Sequence, residues 1–290
     1  MNMKKRILSL ILAAALCLAL TACGSTEASA VEETAAPAEM TAEATEETAE
    51  AGTSAEADAG RLIGIVAAME SEITAIKDAE DTEEIETVAG MEFCVGTIGT
   101  CRVVVVECGM GKVNAAVATE LLIERFGADA IINIGCAGSL NDTLDIGDFV
   151  VSTEVVQHDY DVSAVGYEKG EIPYTGLVSF PADEELITLA CEAIAAAAPE
   201  RQVVKGRICT GDQFISESEQ KSTIIDSFGG ECAEMEGAAV GQTAYLNGIP
   251  FVIIRAMSDN ADSAADFTEY VDEVTREGAE VVIHMVEAME

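Results

Sequence analysis

The chain has 290 residues, of which 15 are basic and 53 acidic, giving a formal net charge of −38. So acidic a protein repels nucleic-acid phosphates and anionic lipid headgroups, and the composition therefore excludes a polynucleotide partner. With only two histidines, His158 and His284, a histidine-based metal cluster is not expected either.

Residues 1–23 have the pattern of a targeting segment. The basic residues Lys4, Lys5 and Arg6 precede an apolar stretch over 7–20 that is short for a membrane span. The stretch ends in Leu-Thr-Ala-Cys at Cys23, which resembles a bacterial lipoprotein signal, in which cleavage precedes a cysteine that carries lipid. An uncleaved membrane anchor is the alternative. In either case we expect the rest of the chain to be extracytoplasmic, attached to the cell membrane through its anchor alone.

Residues 24–60 are almost entirely Ala, Glu, Thr, Ser and Gly, with ten acidic residues and no basic or aromatic ones. Such a segment cannot bury enough apolar surface to offset the entropy of ordering it. We therefore predict a disordered, extended tether. The remaining 61–290 carries 12 basic and 43 acidic residues, a net charge of −31, and has the length of one α/β domain.

Cysteines remain in this domain in an odd number, and none has the C-x-x-C spacing of a zinc or redox site. A disulfide framework is not expected, and small buried apolar residues are the better interpretation. The seven are Cys94, Cys101, Cys108, Cys136, Cys191, Cys209 and Cys232.

Apolar stretches alternate with helical patterns along the domain, which predicts an α/β fold: a three-layer α/β/α sandwich with a central mixed sheet. The predicted strands are 61–68, 91–98, 102–107, 128–134, 147–156, 203–209 and 251–256. The predicted helices are 69–78, 111–126, 183–198, 217–227, 237–246 and 266–290.

The stretch from Cys232 to Val240 carries two carboxylates next to apolar sequence. In an extended segment Glu234 and Glu236 would point into one cavity, with Met235 opposed. The plainer alternative is a charged helix N-terminus. Further on, Arg255 and the Ser258-Asp259 pair follow an apolar strand, which places a cation and a carboxylate at the sheet edge where α/β proteins bind ligands.

Other predicted strand ends carry glycines or polar groups that would let a flat ligand approach the backbone. Gly109-x-Gly111 alone is a weak nucleotide signal because it lacks the rest of a phosphate-binding loop. Phe214 is placed to stack on a base, although a lone aromatic is more often core. Glu70 has the features of a solvated or helix-capping acid.

Together, and in this order, the motifs resemble those of the 5′-methylthioadenosine/S-adenosylhomocysteine nucleosidases, within the purine nucleoside phosphorylase superfamily. The resemblance covers essentially all of 61–290 and implies a phosphorylase/hydrolase-like fold. The motifs are Ile63-Gly64-Ile65, Ala68-Met69-Glu70-x-Glu72, Gly109-Met110-Gly111-Lys112, Asn133-x-Gly135-x-Ala137-Gly138, His158-Asp159-x-Asp161-Val162, Thr210-Gly211-Asp212, Glu234-Met235-Glu236 and Arg255-Ala256-x-Ser258-Asp259.

The resemblance implies a catalytic division of labour that suits hydrolysis of an N-ribosidic bond. Glu72 would deprotonate the attacking water and Arg255 would help to fix that water. Asp259 would hold the adenine amino group and protonate N7, so that adenine leaves neutral. This is the two-carboxylate logic of an inverting glycosidase applied to a nucleoside, and it requires different environments for the two carboxyl groups.

The same resemblance implies substrate-binding residues and a homodimer. Glu236 would bind the ribose hydroxyls with Met235 packed under the ring, Phe214 would stack on adenine, and the Ile215 backbone would read its edge. Met69 and Phe267 would line the 5′-thio end. A segment after His158 would border the partner's pocket. The full predicted substrate-binding set is Met69, Phe214, Ile215, Glu234, Met235, Glu236, Ser258 and Phe267.

This chain departs from the family pattern in three respects. Cys108 stands where serine is usual, Gly138-Ser139 replaces Gly-Gly, and the signal and tether are foreign to a family that is ordinarily cytoplasmic.

Two alternatives come from other functional classes. A purine nucleoside phosphorylase would need an anion site after the first strand, but Glu72 there repels phosphate. A lipid-anchored nucleoside receptor would have no need of a water-activating acid. The sequence implies no metal and no organic cofactor, and it does not rank methylthioadenosine, adenosylhomocysteine, 5′-deoxyadenosine and futalosine-type nucleosides as substrates.

Overall fold

The computed structural model describes residues 60–262 and 264–289. The predicted signal with its lipidated Cys23, and nearly all of the predicted tether, lie outside the described residues. Among the residues that are described, no helix combines the length and the apolar character that a membrane crossing requires.

Over the described residues, the strands are β1 (Leu62–Ala67), β2 (Asp81–Val88), β3 (Met91–Ile98), β4 (Cys101–Glu107), β5 (Ala130–Ser139), β6 (Phe149–Gln157), β7 (Ser179–Pro181), β8 (Val203–Thr210), β9 (Cys232–Glu234) and β10 (Phe251–Asp259). The helices are α1 (Glu70–Ala79), α2 (Lys112–Glu124), α3 (Glu184–Ala197), α4 (Ser218–Phe228), α5 (Gly237–Asn247) and α6 (Ala264–Glu287), with one 3-10 turn at Ser163–Val165.

The strands form one mixed sheet in the order β10-β6-β8-β9-β5-β1-β4-β3-β2, with β7 beside β6. Strand β10 also pairs with β5, so five strands close into a ring while β1, β4, β3 and β2 extend from it. Strands β4, β1, β5 and β10 run parallel to one another, which brings their carboxyl ends to one edge. Strand β9 meets the end of β5 in antiparallel fashion and so delivers Glu234 to the same edge.

Helices cover both faces of the sheet, which confirms the predicted three-layer α/β fold. On one face α1, α3 and α6 pack on inward side chains such as Ile65, Ile132 and Ile254. On the other, α2 and α5 pack on Val66, Ile131 and Ile253. Because β1, β5 and β10 are covered on both sides, their sequences are nearly continuous apolar stretches.

Three strands escaped the sequence prediction. Strand β2 is acidic and exposed along most of its length, so it has no apolar alternation to reveal it. It is an edge strand, held by its antiparallel pairing with β3 across the Ala89-Gly90 turn. Strands β7 and β9 have three residues each, too few for a pattern. By contrast, the predicted hairpin around Gly99 is confirmed by the pairing of Ile98 with Cys101.

Candidate active site

A cleft opens at the carboxyl edge of β1, β5 and β10. It holds about 510 Å³ not filled by protein atoms, part of which is open to solvent. Of the predicted site residues, those that line it are Met69, Glu72, Phe214, Ile215, Glu234, Met235, Glu236, Ser258 and Asp259.

Glu72 lies in the first turn of α1, where its carboxylate turns back over the end of β1. Oε2 accepts hydrogen bonds from the backbone N–H of Ala68 at 2.9 Å and of Met69 at 3.0 Å. Oε1 accepts from the backbone N–H of Cys136 at 3.1 Å. The side chain is only 3 % exposed. Burial raises the pKa of Glu72, while the Arg255 charge and these N–H groups oppose the rise.

Asp259 ends β10, directly after a bulge between Met257 and Asp259 in the pairing with β5. Within a regular strand, adjacent residues point to opposite faces, and the bulge allows Ser258 and Asp259 both to line the cleft. Oδ1 accepts from the backbone N–H of Ala261 at 2.8 Å, and Oδ2 accepts from Ser258 Oγ at 2.9 Å. Burial raises the pKa of Asp259, and the Asp262 and Asp266 carboxylates raise it further.

The environments of the two carboxyl groups therefore differ in the sense that acid–base catalysis requires. Glu72 faces a fixed cation and three backbone N–H donors, which favour its charged form. The Ala261 N–H and the Ser258 hydroxyl favour the charged form of Asp259, whereas its burial and the nearby carboxylates of Asp262 and Asp266 favour its neutral form. The arrangement suits Glu72 as a base and Asp259 as an acid.

Arg255 lies behind the cleft wall and is 1 % exposed. Both Nε, at 3.1 Å, and Nη2 of its guanidinium donate hydrogen bonds to Glu234 Oε2. Nη2 also donates to Asn133 Oδ1 at 2.7 Å. Burial would lower the pKa of Arg255, but the carboxylates of Glu234, Glu236 and Glu72 outweigh it and raise the pKa. Arg255 is therefore a permanent cation among three acids.

Glycine at position 135 makes this close approach possible. A Cβ there would lie 2.9 Å from Arg255 Nη1 and 3.0 Å from Glu72 Oε1. Both groups thus crowd the same point of the β5 backbone, and any side chain would push them apart.

Glu234 is committed to protein contacts. Its Oε2 accepts from the backbone N–H of Glu236 at 3.1 Å and of Gly237 at 2.7 Å, in addition to Arg255. Its Oε1 accepts from the Thr210 hydroxyl. These contacts support a positioning role for Glu234, which holds Arg255 and the start of α5, rather than direct contact with a ligand.

The predicted opposition of Met235 to its neighbours was wrong. Glu234, Met235 and Glu236 all line the cleft. Alternation applies only within an extended strand, and β9 ends at Glu234, while Glu236 is already the N-cap of α5 with φ −132° and ψ −39°. Glu236 therefore fits both predicted alternatives, because it caps the N-terminus of a helix and also lines the cleft.

Glu236 is fixed by the turn after β4. Its Oε1 accepts from the backbone N–H of Gly111 at 2.7 Å, and Oε2 lies 3.9 Å from Arg255 Nη2. That turn is itself held by Lys112, whose Nζ lies 2.6 Å from Asp159 Oδ1. Burial, together with the charge of Glu234, raises the pKa of Glu236 to about 7.

The open side of the cleft is aromatic. Phe214 is 44 % exposed and meets the half-buried Phe267 edge to face, with ring centroids 5.3 Å apart. Phe267 thus adjoins the cleft through Phe214. Sequence reasoning missed Met110, Cys136 and Gln213, which also line the cleft; no spacing distinguishes them from core or surface residues.

The described residues contain no group of histidine, cysteine, aspartate and glutamate side chains that could hold a metal ion. Six of the cysteines of the domain are free thiols: Cys94, Cys108, Cys136, Cys191, Cys209 and Cys232.

Comparison with known proteins decides the family. The Phosphorylase superfamily matches residues 62–289. A 5′-methylthioadenosine/S-adenosylhomocysteine nucleosidase from Shewanella sediminis is 43 % identical over 230 residues, which cover 78 % of this chain and 99 % of that protein. The chain belongs to the 5′-methylthioadenosine/S-adenosylhomocysteine nucleosidase family of the phosphorylase superfamily.

Solved structures agree with this assignment. The nucleosidase from Neisseria meningitidis, in complex with methylthio-immucillin-A, superposes with a TM-score of 0.76 at 35 % identity, over 79 % of this chain and 99 % of that chain. The futalosine hydrolase of Helicobacter pylori superposes with a TM-score of 0.74 at 31 % identity, over 79 % of this chain and 98 % of that chain.

Membership in the nucleosidase family makes the chain a hydrolase, an N-glycosidase. The cleft disfavours the phosphorylase alternative, because no described residue that lines it is lysine or arginine, while four are carboxylates. A phosphate ion would be repelled there.

Glu236 also gives the nucleosidase fold a pH-dependent stability. In the unfolded chain the carboxyl group of Glu236 loses its proton near the ordinary pKa of 4.5, whereas in the folded protein its pKa is about 7. The contribution of Glu236 to the free energy of unfolding therefore falls as pH rises from 4.5 to about 7. Glu236→Gln, which keeps an acceptor for Gly111, should match the parent at pH 4 and exceed its free energy of unfolding by on the order of 2 kcal/mol at pH 8.

Urea denaturation at both pH values measures this difference. If the variant and the parent differ in free energy of unfolding by the same amount at pH 4 and at pH 8, Glu236 is not the group that titrates.

Proposed function

We propose that the enzyme hydrolyses the N-ribosidic bond of 5′-methylthioadenosine, S-adenosylhomocysteine and related 5′-substituted adenosines, releasing adenine and the 5′-thioribose. The observation that carries the proposal is that Glu72 and Asp259 lie in one cleft that no described lysine or arginine lines. Glu72 lies near the Arg255 charge, whereas Asp259 lies near further carboxylates. The names of the relatives support the substrate class.

Glu72 is the base in this proposal. Its carboxylate removes a proton from a water that attacks the anomeric carbon as positive charge develops on the ribosyl ring. The backbone N–H groups of Ala68, Met69 and Cys136 fix the carboxylate. Arg255 acts through charge, favouring the ionised form of Glu72. This differs from direct fixation of the water, because the guanidinium is already engaged by Glu234 and Asn133.

Asp259 is the acid. Its raised pKa supports a protonated carboxyl group that donates to adenine N7 while the C–N bond breaks. Adenine then leaves as a neutral molecule. The backbone N–H of Ala261 and the Ser258 hydroxyl hold the carboxyl group in place.

Other residues in and beside the cleft bind the substrate. Glu236 accepts hydrogen bonds from the ribose hydroxyls, and Met235 packs against the sugar ring. Phe214 stacks on adenine, whose edge meets the Ile215 backbone. Met69 and Phe267 contact the 5′-thio group.

A substrate panel tests this proposal. The nucleosidase family includes relatives named for methylthioadenosine and adenosylhomocysteine, and a structural neighbour is named futalosine hydrolase. Residues 61–290 correspond to nearly the whole length of the relatives, so this fragment suffices for kcat/KM measurements on methylthioadenosine, adenosylhomocysteine, 5′-deoxyadenosine and futalosine. We expect hydrolysis of the thioadenosines; hydrolysis of futalosine alone would contradict the assigned substrate class.

We further propose that the enzyme is a lipoprotein attached to the outer side of the cytoplasmic membrane through Cys23. The support is the sequence of 1–23 and the polar tether of 24–60. Cys23→Ala should remove lipid labelling and release the protein from the membrane pellet, with unchanged activity per molecule. The control is Cys191→Ala, which should leave labelling intact. Equal labelling of Cys23→Ala and the parent would refute the lipoprotein assignment.

We also propose a homodimer formed by the exposed apolar side chains of α2 and α5. Val113 is 74 % exposed and Leu246 63 % exposed, and Val117 and Leu246 line one shallow groove between these helices. An exposed apolar patch of this kind suits an interface between two copies of the chain. Leu246→Glu should halve the mass measured by light scattering, whereas Ile225→Glu on α4 should not. A monomeric parent would contradict the dimer.

A non-catalytic nucleoside receptor is not favoured, because the relatives and the solved neighbours are nucleosidases. It would use the same cleft, and it predicts tight binding of methylthioadenosine with no release of adenine. The burial and precise hydrogen bonding of Glu72 favour the enzyme, because a binder gains nothing from desolvating a base.

A further inference from the structure

Three charged residues of the sequence motifs have no part in the proposed reaction: Lys112, Asp159 and Asp212. They come from three separate segments of the chain. Lys112 begins α2, Asp159 lies just after β6, and Asp212 lies just after β8. In the fold the three segments meet, and each of these residues is hydrogen-bonded to the other two.

The contacts form a closed network. The backbone N–H of Lys112 donates to Asp212 Oδ1 at 2.8 Å, and its Nζ donates to Asp159 Oδ1 at 2.6 Å. The backbone N–H of Asp212 donates to Asp159 Oδ2 at 2.9 Å. Burial would raise the pKa of Asp159, but the hydrogen bonds from Lys112 and Asp212 outweigh it and lower the pKa. Asp159 therefore accepts as a charged group, which strengthens both of its hydrogen bonds.

The network connects two walls of the cleft. Gly111, which precedes Lys112, donates its backbone N–H to Glu236 Oε1 at 2.7 Å. Phe214 follows Asp212 at a distance of two residues in the sequence and lines the cleft, as Glu236 does. One wall thus holds the proposed ribose contact, and the other carries the proposed adenine contact.

Glycine at position 111 allows these walls to approach each other. Its φ of +100° lies in the region that favours glycine, and a Cβ there would lie 3.2 Å from Asp212 Oδ1. A side chain at this position would strain the turn and crowd the carboxylate that joins the walls.

We infer that Lys112, Asp159 and Asp212 are positioning residues that fix the spacing between the ribose-binding and adenine-binding walls. This inference rests on the proposed function. A nucleoside that touches both walls binds more tightly when their spacing is already set, because the ordering entropy is then lost on folding rather than on binding. A ligand that touches one wall gains nothing from the spacing.

The test compares an intact nucleoside with its two halves. Asp212→Ala removes the direct bond between the walls at an exposed position, so the fold should be kept. The dissociation constant of a non-hydrolysable methylthioadenosine analogue should rise about tenfold, which corresponds to about 1.4 kcal/mol. The inhibition constants of adenine and of methylthioribose should each change by less than about twofold. We expect kcat to change by less than about threefold, because other contacts hold Glu72 and Asp259.

Two further variants separate positioning from a general structural role. Asp212→Asn keeps a carbonyl acceptor for the Lys112 N–H and should bind the analogue within about twofold of the parent. Asp159→Ala removes the acceptor of the other two bonds and should weaken binding of the analogue at least as much as Asp212→Ala, again without weakening binding of the halves. The matched control is Glu217→Ala, at an exposed acid of the same loop whose side chain makes no capping hydrogen bond.

Unchanged binding of the analogue in Asp212→Ala and Asp159→Ala would overturn the inference. An equal loss for adenine alone would also overturn it, since the network would then only support the adenine-binding wall. A loss confined to kcat would do the same. Failure of the proposed function is distinguishable, because the parent itself would then release no adenine from methylthioadenosine.

Discussion

Glu72→Gln is expected to lower kcat/KM for methylthioadenosine by about 10³-fold, within the range for loss of a general base. Glutamine cannot accept the proton of the attacking water. Its carbonyl oxygen can still accept from the backbone N–H groups of Ala68 and Met69, so the start of α1 should keep its structure. The hydrogen bond from the Cys136 N–H is lost, because the amide nitrogen of glutamine cannot accept it.

Steady-state kinetics and adenosine-analogue binding on the same preparation measure this effect. We expect the dissociation constant of a non-hydrolysable methylthioadenosine analogue to change by less than about fivefold, since catalysis rather than binding is removed. Glu70→Gln, two residues away and exposed, is the control and should retain full activity. Turnover of Glu72→Gln at the parental rate would show that another group activates the water.

Asp259→Asn is expected to have an effect of similar size, about 10³-fold on kcat/KM, since it removes the general acid. Asparagine preserves an acceptor for the Ala261 N–H, which limits any structural change. Without a proton for N7, adenine would have to leave as an anion. The loss should therefore depend on the leaving group.

A 5-methylthioriboside of p-nitrophenol distinguishes this role from a structural one. Nitrophenolate leaves without protonation, so Asp259→Asn should hydrolyse this compound within about fivefold of the parental rate. Asp262→Asn, at an exposed neighbouring acid, is the control for general charge effects. Equal losses on both substrates would mean that Asp259 supports the cleft and does not act as an acid.

Much of the site could be predicted because its residues follow apolar strands. Continuous apolar stretches located β1, β5 and β10, and parallel strands deliver their carboxyl ends to one edge. This reasoning, together with the family resemblance, predicts Glu72, Glu236 and Asp259 in a common cleft, where the structure has them.

What escaped prediction depends on contacts between distant segments. Nothing in the spacing of Glu234 and Arg255 shows that they form a buried pair, because the pair arises from the ring closure of β5, β9 and β10. The sequence also gives no sign of the bulge in β10, which lets both Ser258 and Asp259 line the cleft. Cys136 was interpreted as a buried apolar residue because its contact with Glu72 spans 64 residues of sequence.

The acidic strand β2 shows the limit of periodicity. It is held by its backbone pairing with β3 rather than by an apolar face of its own, and its Glu86 forms a surface ion pair with Arg125. Ile85, its central apolar residue, is 60 % exposed. The alternation of apolar and polar residues that marks a half-buried strand is therefore absent from the sequence of β2.

The central claim is that water, activated by Glu72, is the nucleophile. Adenine release from methylthioadenosine by residues 61–290, measured with and without inorganic phosphate, tests it most directly. The account predicts the same rate in both cases and free methylthioribose as the sugar product. Release that requires phosphate and yields the sugar 1-phosphate would contradict it.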